Sequence, residues 1–153
     1  MKQTTLCFLR KGDKVLLAMK KRGFGMGKWN GVGGKVGEGE DVPASAIREI
    51  KEEIGVDARE LESAGVLEFR FREHPEWAQD SNIFVVRRWR GAPSESEEMR
   101  PRWYAISELP FEKMWIDDPY WLPLVLAGKK IKGRFLFGGE GETMLECEVA
   151  GIP

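Results

Sequence analysis

Residues 33–56 read GGKVGEGEDVPASAIREIKEEIGV, and this stretch carries most of the structural information in the chain. Its first half belongs to a segment with glycine at positions 23, 25, 27, 31, 33, 34, 37 and 39, a density that predicts a loop rather than a helix. Asp41 then supplies an N-cap, and Pro43 occupies the first turn of a helix. The helix should continue to about Ile54, because Gly55 provides a C-terminal stop.

This helix has two different sides. Glu49, Glu52 and Glu53 stand at i, i+3 and i+4, which predicts three carboxylates side by side on an outward acidic face. The opposite face should be buried through three isoleucines, Ile47, Ile50 and Ile54.

Clustered carboxylates are the ligands that a hard cation such as Mg²⁺ prefers. A structural alternative is a solvated helix whose negative charges are relieved by Arg48 and Lys51. The glycine loop directly upstream favours a metal site, because loop backbone can approach a metal or a phosphate closely.

The rest of the chain alternates between strand and turn patterns. A second helix is predicted at 119–126 and a short one around 107–109. Strands are predicted at 4–10, 15–19, 64–72, 82–90, 102–106, 132–137 and 144–149, and the polar segment 73–81 is predicted to be a loop. Strands on both sides of a central helix indicate an α/β fold with a mixed β-sheet between α-helices, formed by a single domain over residues 1–153.

Composition limits the classes of partner. The chain has 24 Lys and Arg against 25 Asp and Glu, so no net field attracts a nucleic acid polymer or an anionic membrane. Cys7 and Cys147 lie near opposite ends, which predicts free thiols in the core of a cytosolic protein. No segment is long enough to span a bilayer, and the first apolar run is too short for a signal peptide. We therefore expect a cytoplasmic monomer that binds a small molecule.

The central stretch resembles the Nudix family. Gly34, Glu40 and the segment 48–56, REIKEEIGV, match the Nudix box, which reads glycine-x5-Glu-x7-Arg-Glu-aliphatic-x-Glu-Glu-x-Gly-aliphatic. The resemblance implies the Nudix sandwich fold and Mg²⁺, or Mn²⁺, as cofactor. Arg48 would orient a neighbouring glutamate, and Glu40 would connect the loop to the helix.

The resemblance also implies a set of metal ligands and catalytic groups. The ligands would be the Gly33 carbonyl and the carboxylates of Glu49, Glu52 and Glu53. Glu53 is the first choice for the base that positions or deprotonates water. Glu98 resembles a distal carboxylate that many triphosphatase members add, with Glu97 as the less favoured neighbour. The alternative interpretation of Glu98 is that it belongs to a solvated acidic loop.

Further segments resemble the vertebrate oxidised purine nucleoside triphosphatases of this family. They are LLAMKKRGFG at 16–25, WNG at 29–31, EMRP at 98–101 and PFEKMWIDD at 110–118. The likeness implies hydrolysis of 8-oxo-dGTP and 2-hydroxy-dATP to the monophosphate and pyrophosphate. The implied substrate-binding residues are Thr5, Lys20, Phe24, Asn30, Gly33, Gly34, Lys35, Phe69, Trp115, Asp117, Asp118 and Trp121.

Asp117 and Asp118 form the most informative pair outside the box. Adjacent carboxylates in an apolar pocket do not both ionise cheaply, so one keeps its proton and donates while the other accepts. Such a pair would fit the edges of two different oxidised purines. The competing interpretation is helix capping, since Pro119 follows and aspartate is favoured at helix starts.

Two other functions stay open at this point. One is a Nudix hydrolase acting on a dinucleoside polyphosphate, a nucleotide sugar or O6-methyl-dGTP. The other is a binding module without turnover, although all three box glutamates are present. Residues 74–80, HPEWAQD, are about one residue longer than the subfamily pattern and lack its methionine, so fine substrate preference is not fixed. His74 alone gives no basis for a metal or acid–base assignment.

Overall fold

The computed structural model describes residues 1–153 and contains eight strands and two α-helices. In chain order these are β1 (Lys2–Lys11), β2 (Lys14–Lys20), β3 (Trp29–Asn30), α1 (Val42–Ile54), β4 (Asp57–Phe71), β5 (Gln79–Arg90), β6 (Met99–Ala105), α2 (Asp118–Leu126), β7 (Lys130–Gly138) and β8 (Thr143–Ile152). Short 3-10 turns lie at Pro75–Trp77, Ile106–Glu108 and Phe111–Lys113.

The strands form one mixed sheet in the order β3-β2-β1-β5-β4-β7-β8, with β6 paired to β2. The β1–β5 and β4–β7 pairs are parallel, and the remaining neighbours are antiparallel. The expected mixed sheet is therefore confirmed.

Side-chain alternation divides the sheet into two buried faces. One face of β1 presents Phe8, which packs in a core with α2 through Trp121 and Leu122. The other face presents Cys7 and Leu9, which pack in a second core with α1. The two helices therefore cover opposite faces of the sheet, as expected for a sandwich.

Helix α1 begins and ends where the sequence predicts. The Asp41 side chain accepts a hydrogen bond from the Ala44 backbone N–H at 3.2 Å, and Gly55 closes the helix with a φ of 73°. The buried face differs from the prediction, because Ile47 is 39% exposed while Glu53 is only 6% exposed. The expectation that all three box glutamates face outward is wrong for Glu53, which takes a place beside Ile50 and Ile54.

Several other predictions need correction. Strand β4 begins at Asp57 rather than at residue 64, and β5 begins at Gln79, inside the predicted loop. That loop also contains the 3-10 turn Pro75–Trp77. Both cysteines are free thiols as expected, but only Cys7 is in the core, and Cys147 is exposed on β8. Neither helix has the length and apolar character that crossing a bilayer requires.

The glycine-rich loop runs alongside β1 and is hydrogen-bonded to it. The Thr5 backbone N–H donates to the Gly34 carbonyl at 2.8 Å, and the Val36 N–H donates to the Gln3 carbonyl at 2.9 Å. Gly33 approaches this strand so closely that a Cβ there would lie 2.0 Å from the Thr5 carbonyl oxygen. Only glycine fits at this position.

Candidate active site

The three box glutamates of α1 occupy different environments. Glu52 is exposed, with 57% of its side chain accessible, while the Glu49 side chain is 16% accessible. Glu53 is buried, and its Oε2 has no hydrogen-bond partner in the protein. The three carboxylates therefore differ in solvent exposure, from Glu52 in solvent to Glu53 in the protein interior.

Burial is the main cause of the unusual state of Glu53. Burial, together with the nearby charge of Glu49, raises the pKa of this carboxyl to about 8. The backbone N–H of Gly33 and the more distant Lys20 act in the opposite direction. In the metal-free protein Glu53 therefore holds its proton at neutral pH, and a cation beside it would favour the charged form.

Arg48 connects the glycine loop to the helix. Its Nε and Nη2 donate to the two carboxylate oxygens of Glu40 at 2.8 and 2.9 Å. Glu40 also accepts from the Gly37 backbone N–H at 2.9 Å. The bonds from Arg48 and Gly37 lower the pKa of Glu40 to about 2. The connection that the resemblance implies for Glu40 is confirmed by this geometry.

The same arginine orients the two outer glutamates. Its Nη1 lies 2.9 Å from Glu49 Oε1 and 3.2 Å from Glu52 Oε2. The Glu49 carboxyl packs directly on Gly34, where a Cβ would lie 2.5 Å from the Glu49 Cδ. A side chain at position 34 would displace Glu49, which explains why the box needs glycine there.

Glu98 lies close enough to Glu53 to raise the pKa of that carboxyl. It is half exposed, and Arg22 Nη2 donates to its Oε1 at 3.1 Å. Glu97 is more exposed and only 3.9 Å from Arg22. The structure therefore brings Glu98 to the acidic helix, while its catalytic role stays a prediction.

The donors around Glu53 fit a divalent cation. The unpartnered Glu53 Oε2 is a buried oxygen, and the Gly33 carbonyl next to it accepts no hydrogen bond from the protein. Buried oxygens without partners are rare and indicate a missing ligand or ion. No three His, Cys, Asp or Glu side chains form a complete cation cage, and Arg48 bridges Glu49 and Glu52.

A cavity of about 250 Å³ lies on the α2 face of the sheet. Its floor includes residues of β1, β5, β4 and β7, and its rim includes the glycine loop. All twelve residues predicted to contact substrate line it: Thr5, Lys20, Phe24, Asn30, Gly33, Gly34, Lys35, Phe69, Trp115, Asp117, Asp118 and Trp121. Gly33 and Gly34 line the cavity and also contact Glu53 and Glu49 of the acidic helix, so the two regions adjoin.

Asp117 and Asp118 are buried at one end of the cavity, with 3% and 2% exposure. Burial raises the pKa of both, and the neighbouring Asp117 charge raises the pKa of Asp118 further. Asp117 Oδ2 accepts from Trp121 Nε1 at 2.8 Å, while Asp118 Oδ2 has no partner. Asp117 makes no side-chain capping bond to α2, so capping does not account for the pair.

Three of the residues predicted to contact substrate also make hydrogen bonds within the protein. Thr5 Oγ1 exchanges long hydrogen bonds with the Gly34 backbone, at 3.3 and 3.4 Å, so it fastens the loop to β1. Trp121 is fully buried behind Asp117. Asn30 Oδ1 accepts from the Gly31 N–H at 2.8 Å, which leaves its amide N–H groups as donors for a ligand.

Aromatic rings form the mouth of the cavity. Phe24, half exposed, lies 5.1 Å from both Trp115 and Trp77, measured between ring centroids. His74 stacks on Trp77 at 3.8 Å. The predicted roles of Phe24 and Trp115 therefore fit their positions, and segment 73–81 adds two rings that the sequence did not place there.

Sequence reasoning missed four polar residues that line the cavity. Lys28 lies 5.2 Å from the centroid of the Trp115 ring, a cation–π contact. The other three, Thr4, Gln79 and Ser81, belong to β1 and β5. Only the register between β1 and β5 brings these three together, so the signal was not available from either strand alone.

A sheet between two helices, with a glycine loop fastened to an acidic helix by an arginine, defines a Nudix hydrolase. The family model described as NUDIX domain matches residues 2–125 of the sequence, and the chain therefore belongs to this family. Enzymes of the family generally use divalent metal ions.

Two vertebrate relatives are similar over most of the chain. The oxidized purine nucleoside triphosphate hydrolase of Mus musculus is 47% identical over 148 residues, which cover 97% of this chain and 94% of the relative. The protein of the same name from Danio rerio is 46% identical over 138 residues, covering 90% and 88%. The mutator MutT protein from Bacillus halodurans has the same fold, with a TM-score of 0.82, 23% identity and 97% of each chain covered.

Proposed function

We propose that this chain hydrolyses oxidised purine nucleoside triphosphates, such as 8-oxo-dGTP and 2-hydroxy-dATP, to the monophosphate and pyrophosphate. The observation that carries the proposal is the shared boundary at Gly33 and Gly34, where a base-sized cavity adjoins the acidic helix. A nucleotide whose base occupies the cavity would direct its phosphates towards Glu49 and Glu53. The names of the two vertebrate relatives support the same substrate class.

Different residues would bind the base, bind the phosphates and carry out hydrolysis. Asp118 and Asn30 would donate to the base and Asp117 would accept from it, while Trp115 and Phe24 stack on the ring. Lys20 and Lys35, which line the cavity near the loop, would meet phosphate oxygens. Glu53 would take the proton of the attacking water, with Glu98 beside it, and Arg48 keeps Glu49 and Glu52 oriented.

Mg²⁺ is the proposed cation, with Mn²⁺ as a possible substitute. When bound, it neutralises phosphate oxygens during attack by water. Its proposed ligands are the Gly33 carbonyl and the carboxylates of Glu49, Glu52, Glu53 and Glu98. We further propose that the chain is a single domain acting as a cytoplasmic monomer on small molecules.

The test is the rate of substrate hydrolysis, measured by separating the nucleotide products, across a substrate panel with Mg²⁺ and with excess chelator. The panel contains 8-oxo-dGTP, 2-hydroxy-dATP, O6-methyl-dGTP, dGTP, ADP-ribose and a diadenosine polyphosphate. We expect the oxidised triphosphates to have the highest kcat/KM and chelator to abolish turnover. A preference for ADP-ribose or the dinucleotide would contradict the proposed substrate class, and full turnover in chelator would contradict the metal site.

A further inference from the structure

The floor of the cavity contains a group of polar side chains that the proposed function does not use. Strands β1 and β5 are parallel, and their register places Lys2 opposite Gln79 and Thr4 opposite Ser81. Because side chains alternate along a strand, Thr4, Gln79 and Ser81 share the face that carries Phe8 and the α2 core. All three line the cavity. We call these three residues the polar strip.

The polar strip is not satisfied within the protein. Thr4 Oγ1 is buried and has no hydrogen-bond partner. Ser81 is 4% exposed, and its hydroxyl makes no hydrogen bond to another protein group. The main-chain carbonyl of Gln79 accepts from Arg70 Nη1 at 3.2 Å, whereas its side-chain amide has no protein partner. Of the three, only Thr4 Oγ1 is enclosed without a partner, which costs free energy unless a ligand or water pairs with it. The Ser81 hydroxyl and the Gln79 amide line the cavity and are available to bind a ligand or water there.

A second unpaired group lines the same cavity from the opposite layer. Asp118 Oδ2, at the start of α2, is also buried without a partner. Ligand cavities are mostly apolar, with a small number of polar groups that decide orientation and specificity. Here unpaired groups from the sheet and from α2 face one cavity of about 250 Å³. A bound ring with few polar atoms would leave most of them unpaired.

We propose that the polar strip hydrogen-bonds the bound base and makes this site select purines that carry an additional exocyclic oxygen. The inference rests on the proposed function and extends it by assigning specificity to Thr4, Gln79 and Ser81. A site built to hydrogen-bond a polar substituent rejects the analogue that lacks it, because its own groups are then left unpaired. An unmodified purine pays this cost, and an oxidised purine does not.

The experiment compares kcat/KM for 8-oxo-dGTP and for dGTP in three conservative variants and their combination. Thr4→Val and Ser81→Ala remove a hydroxyl, and Gln79→Met removes the amide at nearly constant length. Each single variant should lower the preference for 8-oxo-dGTP over dGTP by about 5-fold, and the triple variant by more. The loss should appear as a higher KM for 8-oxo-dGTP with kcat nearly unchanged, because the acidic helix is untouched.

Controls separate a specificity role from a structural one. Thr143→Val and Ser63→Ala remove hydroxyls from exposed strand positions outside the cavity and should leave the preference unchanged. The melting temperature of each variant reports folding, and if the triple variant does not fold, the single variants are judged by the same ratio. An equal loss on both substrates, or an unchanged ratio, would overturn the inference alone. A wild-type protein without preference for oxidised purines would overturn the proposed function as well.

Discussion

The acidic helix and the cavity adjoin at Gly33 and Gly34 but are encoded in different ways. The acidic region is nearly continuous in sequence, since Gly33 to Glu53 spans the loop, the arginine link and the glutamates. The cavity collects residues from seven strands, β1 to β7, from the glycine loop and from α2. Under the proposed function, phosphate chemistry depends on one largely local motif, while base recognition is distributed and can change position by position without altering the chemistry.

The largest expected effect on turnover comes from a substitution of Glu53, at the buried end of the acidic region. Glu53→Gln should lower kcat for 8-oxo-dGTP by about 100- to 10,000-fold, because the proposed base is removed. Folding should be kept, since Gln resembles the protonated form that burial already favours. Turnover and thermal unfolding are measured together, with the exposed Glu146→Gln as control. Normal turnover in Glu53→Gln would break the assignment of chemistry to this region.

The pH dependence of the free energy of unfolding tests whether Glu53 is buried. The folded pKa of Glu53 is about 8, above the unfolded value, so the folded state binds more protons between these two pKa values. In chelator, the free energy of unfolding should therefore fall as pH rises from about 5 to about 8, by about 3 kcal/mol for this group. Glu53→Gln should lack that component. Denaturant titrations of both proteins at both pH values give the change in the free energy of unfolding with pH. The same change in wild type and in Glu53→Gln would contradict the burial of Glu53.

A smaller effect is expected from the link between loop and helix. Arg48→Lys keeps the charge but cannot donate to both oxygens of Glu40 while holding Glu49. We expect kcat to fall about 10- to 100-fold, as for other residues that orient metal ligands. Arg87→Lys, on the exposed side of β5, is the matched control. Equal activity of the two variants would show that the link is not needed for turnover.

The smallest effect should lie at the mouth of the cavity. Phe24 is half exposed and touches Trp115 and Trp77 through ring contacts. Phe24→Leu should raise KM for 8-oxo-dGTP about 3- to 10-fold with kcat unchanged, because one stacking contact is lost. Steady-state kinetics with the surface variant Tyr120→Leu as control measures this. A fall in kcat without a change in KM would place Phe24 in the chemistry instead.

The sequence predicted the acidic region far better than the cavity. Asp41, Pro43 and Gly55 define α1 through local backbone preferences, and Glu40 follows from the spacing of a known motif. The burial of Glu53 was not predicted, because helical periodicity gives the side of a helix but not how deeply that side is packed. The start of β5 at Gln79 was missed for a related reason, since polar residues there face a cavity rather than solvent.

The cavity could be predicted only where a resemblance supplied residues. Asp117, Asp118 and Trp115 came from a matching segment, and the structure places them together. Thr4, Gln79 and Ser81 had no such source, because their proximity depends on the parallel pairing of two strands far apart in the chain. Strand pairing at long range is set by tertiary packing, which no local pattern in either strand records.

The division between the two regions is tested most directly by binding of the product 8-oxo-dGMP to wild type, Glu53→Gln and Asp118→Asn, measured by calorimetry. Asp118→Asn removes the carboxyl that would donate to the base, whereas Glu53→Gln changes only the acidic helix, outside the cavity. The account predicts wild-type affinity for Glu53→Gln and an affinity about 10-fold lower or more for Asp118→Asn. Equal affinities in all three proteins, or a loss confined to Glu53→Gln, would contradict it.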